Sequence, residues 1–292
     1  MKTQKLNQFV LLGIIVCIVS LVGQGCASKK KIWGSPESGL ILKYKAPESQ
    51  RLSYQKLSDF TQKMEISGQN IEVKALQDFY YSMDQNNVND QKINCSITID
   101  SVDYSITSPR GQINPDMSSI LGENFHLDMT SLGYEENLDE AKAIKYSIEG
   151  EEQSVVTIFS ALFPQLPDYP VKVGDTWKSV DTVYEENSRG DLMLVFHNFN
   201  TLVSLENIKG LDCVKVDTKV TGSMSGGGKQ EDVTYDYDGE IEGTGTWYFA
   251  YKEGLLVEEK GEGTGHGNLI VPSRDLTIPM TREFRVEHTL LR

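Results

Sequence analysis

Histidine and cysteine are scarce in this chain. The four histidines, His126, His197, His266 and His288, lie far apart, and none is joined by a second at i+2 or i+4. A zinc or non-haem iron centre would have to be assembled wholly in three dimensions, so no metal ligands are expected. The four cysteines include no CxxC pair. A serine-hydrolase elbow needs Gly-x-Ser-x-Gly. The nearest stretch, Gly222-Ser223-Met224-Ser225-Gly226, puts Met224 where the nucleophile belongs. Ser225-Gly226-Gly227-Gly228-Lys229 lacks the first glycine of a P-loop and has Gln230 in place of its Ser or Thr, so it reads as a flexible hairpin loop. Acids are plentiful, yet no two stand out as a glycosidase pair. These gaps argue against an enzyme and against a cofactor. A hydrolase whose site is invisible in the sequence is the third-ranked reading of function.

Positive charge and long apolar runs are short as well. Lys and Arg number 28 against 42 Asp and Glu, a net charge of −14. Such a chain repels nucleic acid and anionic membrane surfaces, so nucleic acid is not an expected partner. The longest apolar run, Phe9 to Val22, has 14 residues, fewer than the ~20 a membrane-spanning helix needs.

Behind that run stands Cys26. Lys2 and Lys5 precede the run, Gly23-Gln24-Gly25 break it, and Ala27-Ser28-Lys29-Lys30 follows the cysteine. A basic start, a short apolar stretch and small residues before a cysteine read as a signal peptide, 1–25, cut at a cysteine that is then lipidated. The site departs from the Leu-small-small-Cys lipobox of bacterial lipoproteins at Gln24, and Leu21 lies two residues too far upstream. An uncleaved anchor and ordinary signal cleavage are the competing readings. Cleavage removes Lys2 and Lys5 but no acid, leaving 26 basic against 42 acidic residues, a balance of −16. Residues 26–38 read as a lipidated flexible tether with a coil reach of roughly 20 Å. Within it, Lys29-Lys30-Lys31-Ile32-Trp33 is either solvated or rests on lipid headgroups. No acid follows Cys26 directly. By resemblance to Gram-negative lipoproteins, this implies an outer-membrane lipoprotein of the cell envelope facing the periplasm.

The rest, 39–292, reads as a single β-rich domain. Period-two alternation runs through Gly39–Lys45, Asp59–Ile66, Ile71–Met83, Lys92–Asp100 and Val102–Thr107, with Asn- and Asp-rich turns such as Asp84–Asp90 between runs. Leu192–Val203, Leu211–Val220, Val233–Tyr251, Leu255–Gly267 and Thr281–Leu291 continue the pattern. One segment departs from it. Glu151–Phe163 places Val155, Ile158, Phe159 and Leu162 on one helical stripe, stopped by Pro164, so a helix over 151–163 is expected. Lys142–Glu149 fits a strand or a helix. Glu242-Gly243-Thr244-Gly245 recurs as Glu262-Gly263-Thr264-Gly265 about a turn at Lys252-Glu253-Gly254, which puts Gly243 opposite Gly263 and predicts strong local curvature. Asp232, Asp236, Asp238, Glu240 and Glu242 alternate with Val233, Tyr235, Tyr237 and Ile241 and read as a solvated strand face. His197, in an apolar run, is expected to be a hydrogen-bonded core residue and His288 to share a face with Phe284, Val286 and Leu290; a pocket-mouth position for His266, beside Gly265 and Gly267, is a minor reading. Cys95 and Cys213 occupy similar strand settings. They form either a disulfide, which an oxidising envelope permits, or two separate buried thiols. That likeness leaves open two similar halves, 39–150 and 168–292.

Pro170-Val171-Lys172-Val173-Gly174-Asp175-Thr176-Trp177, and Gly243-Thr244-Gly245-Thr246-Trp247-Tyr248-Phe249 with Lys252-Glu253-Gly254-Leu255-Leu256, resemble an uncharacterised family of exported bacterial lipoproteins. That family has no assigned activity, so the resemblance implies no functional residues. A more distant analogy, at the level of fold only, is to curved-sheet carriers such as the lipoprotein-localisation factors. The expected architecture is mainly β (α+β), a strongly curved antiparallel sheet or half-open barrel with one covering helix near 151–163. The expected function is non-enzymatic binding of a hydrophobic small molecule or an envelope protein by a lipid-anchored domain. A structural subunit docking through its sheet edge or acidic face is the alternative.

Overall fold

The computed structural model describes residues 33–47, 51–66, 68–89, 91–187, 190–230 and 233–291. Cys26, the expected signal segment and the start of the expected tether lie outside the described residues.

The chain forms one large antiparallel sheet with short pieces packed on it. In chain order the elements are β1 (Gly34–Ser35), β2 (Gly39–Leu40), β3 (Leu52–Ile66), β4 (Gln69–Asn89), β5 (Lys92–Ser108), β6 (Gly111–Ile113), β7 (Asn124–Thr130), β8 (Glu135–Glu136), α1 (Asp139–Ala143), β9 (Lys145–Ile148), β10 (Glu151–Ser154) and α2 (Val156–Phe159). Six long strands follow: β11 (Thr176–Asn187), β12 (Gly190–Ile208), β13 (Leu211–Gln230), β14 (Val233–Ala250), β15 (Leu255–Val271) and β16 (Leu276–Leu290). The twelve-stranded sheet runs β11-β12-β13-β14-β15-β16-β3-β4-β5-β7-β8, with β6 added on β5. β11 and β8 end the order without meeting, so the sheet is not closed into a barrel.

Most neighbours are consecutive hairpin partners. The exceptions are β7 on β5, with β6 between them in sequence, and β16 on β3, where Phe284 faces Phe60 and Leu290 faces Tyr54. The latter pairing joins the two runs of strands into one sheet. Antiparallel partners point their side chains to the same face. The register therefore sets Phe79, Lys56, His288, Glu259, Trp247 and Val216 in one row across six strands. The face carrying this row is called inner below.

The core sits over one end of the inner face. There Leu52, Tyr54, Phe79, Tyr81, Phe125 and Phe249 are buried beneath Val155, Phe159, Leu162 and Phe163. Phe159 meets the rings of Phe125, Tyr81 and Phe79 edge-on at 4.9, 5.4 and 6.2 Å. A smaller cluster of Met224, Ile241 and Met280 covers the far end of the strands.

Three expectations are overturned by the fold, and one open reading is settled. The helix over 151–163 is a single turn, Val156–Phe159. Glu151–Ser154 is instead a strand paired with β9, Gln153 facing Tyr146. The Ser154 hydroxyl donates to the Ala141 and Lys142 carbonyls, three β-branched residues follow in Val155-Val156-Thr157, and Ala161 adopts φ 52°. Each of these opposes a continuous helix. The expected stripe is nevertheless buried, from Val155 to Leu162. The ambiguous 142–149 stretch divides, with α1 ending at Ala143 and β9 beginning at Lys145. The tether expected to reach 38 folds earlier, since Gly34 pairs with Leu40 and Lys45 sits over the Trp33 ring. Ser225–Lys229 belongs to β13, paired on both sides, where a hairpin loop was expected. Its glycines permit that pairing, since a Cβ on Gly226 would lie 2.2 Å from the Asp191 carbonyl oxygen.

Candidate functional site: a cavity over the inner face

A cavity of about 500 Å³ lies over the inner face beneath the strap 157–165, within the ~300–1,000 Å³ usual for small-molecule sites. Its wall draws on nine strands that are consecutive in the sheet, from Val183 on β11 round to Tyr104 on β5. Most of the lining is apolar and includes Phe60, Leu194, Phe196, Ile241, Phe284 and Val286. Two larger depressions, about 690 and 1,060 Å³, lie on the opposite face. Their walls are charged side chains such as Glu242, Glu262, Lys219 and Arg285, as expected of a solvated strand surface.

Polar groups converge on the cavity from three directions. On β11–β14, Thr218 donates to Asn200 Oδ1 at 2.6 Å and accepts from Trp247 Nε1 at 3.1 Å. Beside them, Asp181 accepts from Asn198 Nδ2 at 2.5 Å and Gln165 Nε2 at 2.7 Å. Burial raises the Asp181 carboxyl above its ordinary value, against the pull of those two donors. Gln165 is itself fixed, because its carbonyl accepts from Trp177 Nε1 at 3.0 Å.

The second group is the central row. Lys56 and Glu259 flank His288 on adjacent strands, and all three line the cavity. Lys56 Nζ donates to the Ile158 carbonyl at 2.5 Å, tying the strap to β3. Lys56 and Glu259 keep some surface toward the cavity but are enclosed on every other side. Among the described residues the Glu259 carboxyl forms no hydrogen bond or ion pair. Burial pushes its pKa up to about 7, the Lys56 ammonium opposing and the Asp181 carboxylate adding to the rise. Burial lowers the Lys56 pKa, offset partly by Glu135 and Glu259. His288 is 1% exposed, and its Nε2 lies 2.6 Å from the Tyr81 hydroxyl. Its Nδ1 has no partner in hydrogen-bonding geometry, although the Leu162 backbone is close enough to favour the charged form slightly. Burial, helped by the Lys56 ammonium, holds this imidazole down at about 3.

The third direction is the strap, held from behind by groups that do not themselves line the cavity. Glu135 Oε1 accepts from the Leu162 and Phe163 amides at 2.6 and 3.1 Å, and the Tyr44 hydroxyl donates to the Pro164 carbonyl at 2.9 Å. Burial pushes the Glu135 carboxyl to about 8, even though those two amides and Lys56 favour its ionised form.

Gly245, Gly261 and Gly265 form part of the cavity floor. The register pairs Gly243 with Gly263 and Gly245 with Gly261, as the repeated Glu-Gly-Thr-Gly motif implies. The glycines are of two kinds. At Gly243 and Gly263 a Cβ would lie 2.6 and 2.5 Å from a carbonyl of the neighbouring strand, and at Gly263 the Phe284 ring also occupies that space, so packing demands glycine at both. At Gly261 a Cβ would meet only the Thr244 carbonyl at 3.7 Å, and at Gly265 nothing nearer than 3.6 Å. Nothing in the fold requires those two to lack a side chain.

Other expected residues fall elsewhere. Cys95 and Cys213 are separate buried thiols and not a disulfide, raised by burial to about 12 and about 11. His197 is exposed on the outer face opposite Val180, because its parity on β12 is outward despite apolar neighbours. His266 also points outward, away from the cavity, since the inward positions beside it are Gly265 and Gly267. Asp236, Asp238, Glu240 and Glu242 form the exposed acidic face expected of them. Lys56, Glu259, Glu135 and Asp181 were not singled out from the sequence. Lys56 and Glu259 carried a readable signal, a charged residue at an apolar parity: Leu52-x-Tyr54-x-Lys56 and Leu255-x-Val257-x-Glu259. No protein-family model and no curated protein matches this chain, so its role is argued from the cavity.

Proposed function

We propose that this protein is a lipid-anchored envelope protein that binds a hydrophobic molecule in the cavity over its inner face and catalyses no reaction. The observation that carries the reading is one cavity lined by side chains from nine consecutive strands and roofed by the 157–165 strap. An apolar enclosure with a few fixed polar groups is the usual form of a small-molecule site. The same lining supports a sheet curled into a half-open barrel, as do the close interstrand approaches at Gly222, Gly239 and Gly267. The anchor rests on the sequence: the basic start, the short apolar run and Cys26 before a polar stretch. Palmitate labelling of the wild-type chain in bacterial cells tests the anchor, and labelling lost in Cys26→Ala is the expected result. Native mass spectrometry of gently purified protein tests the binding. A co-purifying lipid-sized mass supports it, whereas a clean apo mass from several preparations counts against it.

A second reading has its own observation. On the outer face of β11 and β12, at the free edge of the sheet, Val180, Tyr184, Met193, Phe199 and Val203 are each at least 40% exposed. Apolar surface at an unpaired sheet edge is suited to docking. Crosslinking to an envelope partner through these strands, with an empty cavity, would favour a structural role.

A further inference from the structure

We infer that the cavity takes an elongated monocarboxylate, its carboxylate seated between Lys56 and Glu259 and its apolar chain laid over Gly261 and Gly245 against Phe284 and Val286. This deepens the proposed binding function and rests on it.

The head-group site follows from what Lys56 does and does not touch. Its ammonium carries three donors, and the described partner is a single neutral carbonyl, that of Ile158. No carboxylate lies within ion-pair distance of it among the described residues. A cation in an enclosed space without an anion favours whatever anion can enter. Glu259 stands two strands away on the same row, its carboxyl also without a partner. Near neutral pH a large share of that carboxyl holds its proton, which makes it a hydrogen-bond donor. A carboxylate between the two would receive a charge-assisted bond from Lys56 and a hydrogen bond from protonated Glu259. An ammonium head group would meet the Lys56 charge instead, and a hydroxyl would leave that charge uncompensated.

The chain site follows from the two kinds of glycine. Where a Cβ would strike the neighbouring backbone, as at Gly243, glycine serves the fold. At Gly261 and Gly265 a side chain would fit with ordinary contacts, and both positions line the cavity. What the bareness of Gly261 leaves is open volume beside Glu259, reaching as far as the Phe284 ring, which lies over Gly263. Val286, Phe284 and Phe60 on one side and Val220 on the other provide apolar walls. A methylene chain lying there would gain roughly 0.8 kcal/mol per buried CH₂. The cavity thus offers, among the described residues, a cation without a carboxylate partner at the Lys56 end with apolar walls beside it, and farther along Arg282 is held by Gln62 and set over the Phe60 and Tyr237 rings.

The full-length protein in lipid nanodiscs is exposed separately to diazirine-bearing hexadecanoic acid and to the matching hexadecanol. After irradiation, adducts are located by peptide mass spectrometry. The acid is expected to label peptides of β14–β16 at least ten times more efficiently than the alcohol. Lys56→Met should bring that ratio to about one by weakening the acid alone. Gly261→Leu, which fills the floor, should suppress both probes, with urea midpoints confirming that each variant is folded. Equal labelling of the wild-type cavity by acid and alcohol overturns the carboxylate inference while leaving hydrophobic binding intact. Absence of cavity labelling by either probe overturns both. The wild-type comparison needs no variant to fold.

Discussion

Glu135 makes the most quantitative prediction. Its carboxyl holds two strap amides from a site where burial raises its pKa from 4.5 to about 8. The folded protein therefore keeps a proton that the unfolded chain releases, and stability falls as pH rises above 4.5 until the folded carboxyl also ionises near 8. At about 1.4 kcal/mol per pH unit of difference, this one group costs about 2 kcal/mol at pH 6. The cost at pH 9 is about 4–5 kcal/mol, so about 2.5 kcal/mol is lost between the two. Glu135→Gln keeps an acceptor for the Leu162 and Phe163 amides but cannot ionise. Urea unfolding of wild type and variant at pH 6, 7, 8 and 9 separates Glu135 from the other titrating groups, because Glu259, Asp181, Lys56 and His288 are common to both proteins. The variant should be less pH-sensitive by about 2–3 kcal/mol across that range, retaining a shallower decline from Glu259. If both proteins lose the same stability between pH 6 and 9, the assignment of a protonated Glu135 is wrong.

Three further outcomes are expected. His288 is held neutral with a pKa near 3, so its imidazole should show no protonation by NMR down to pH 4. Below the unfolded value of 6.5 it should instead destabilise the fold, because the unfolded chain takes up that proton first. Gly133 has φ 92°, and a Cβ there would sit 2.7 Å from the Pro164 carbonyl oxygen and 2.8 Å from the Tyr44 ring. Gly133→Ala should therefore cost at least about 2 kcal/mol in a urea titration. Cys95 and Cys213 should resist a thiol reagent in the native protein and both react once it is unfolded, which a disulfide between them would prevent.

Much of the strand pattern was legible because alternation is a local property, although Leu52–Ser58 and Asn124–Thr130 were not read as strands. Phe60 and Met64 mark an inward face in any β context, and the repeated Glu-Gly-Thr-Gly motif was enough to pair Gly243 with Gly263. The strap was harder to read. Val155, Ile158, Phe159 and Leu162 satisfy a helical stripe, yet the strand pairing of Gln153 with Tyr146 and the left-handed Ala161 depend on partners distant in the sequence. His197 misled for the opposite reason. Apolar neighbours suggested burial, but near the free edge the outer face of β11 and β12 is exposed among the described residues. The electrostatics of Glu135 could not be read at all. Only the folded chain brings its carboxyl to the Leu162 amide, 27 residues away.

The pairing of β16 with β3 joins residues more than 200 positions apart, and this bears on how the molecule is made. Closing so distant a contact is slow relative to making a hairpin. Until Leu276–Leu290 has been synthesised, β3 presents a 15-residue strand with one side bare, a template for self-association. A nascent chain of this kind would depend on holdase chaperones that shield β3 until its last partner arrives.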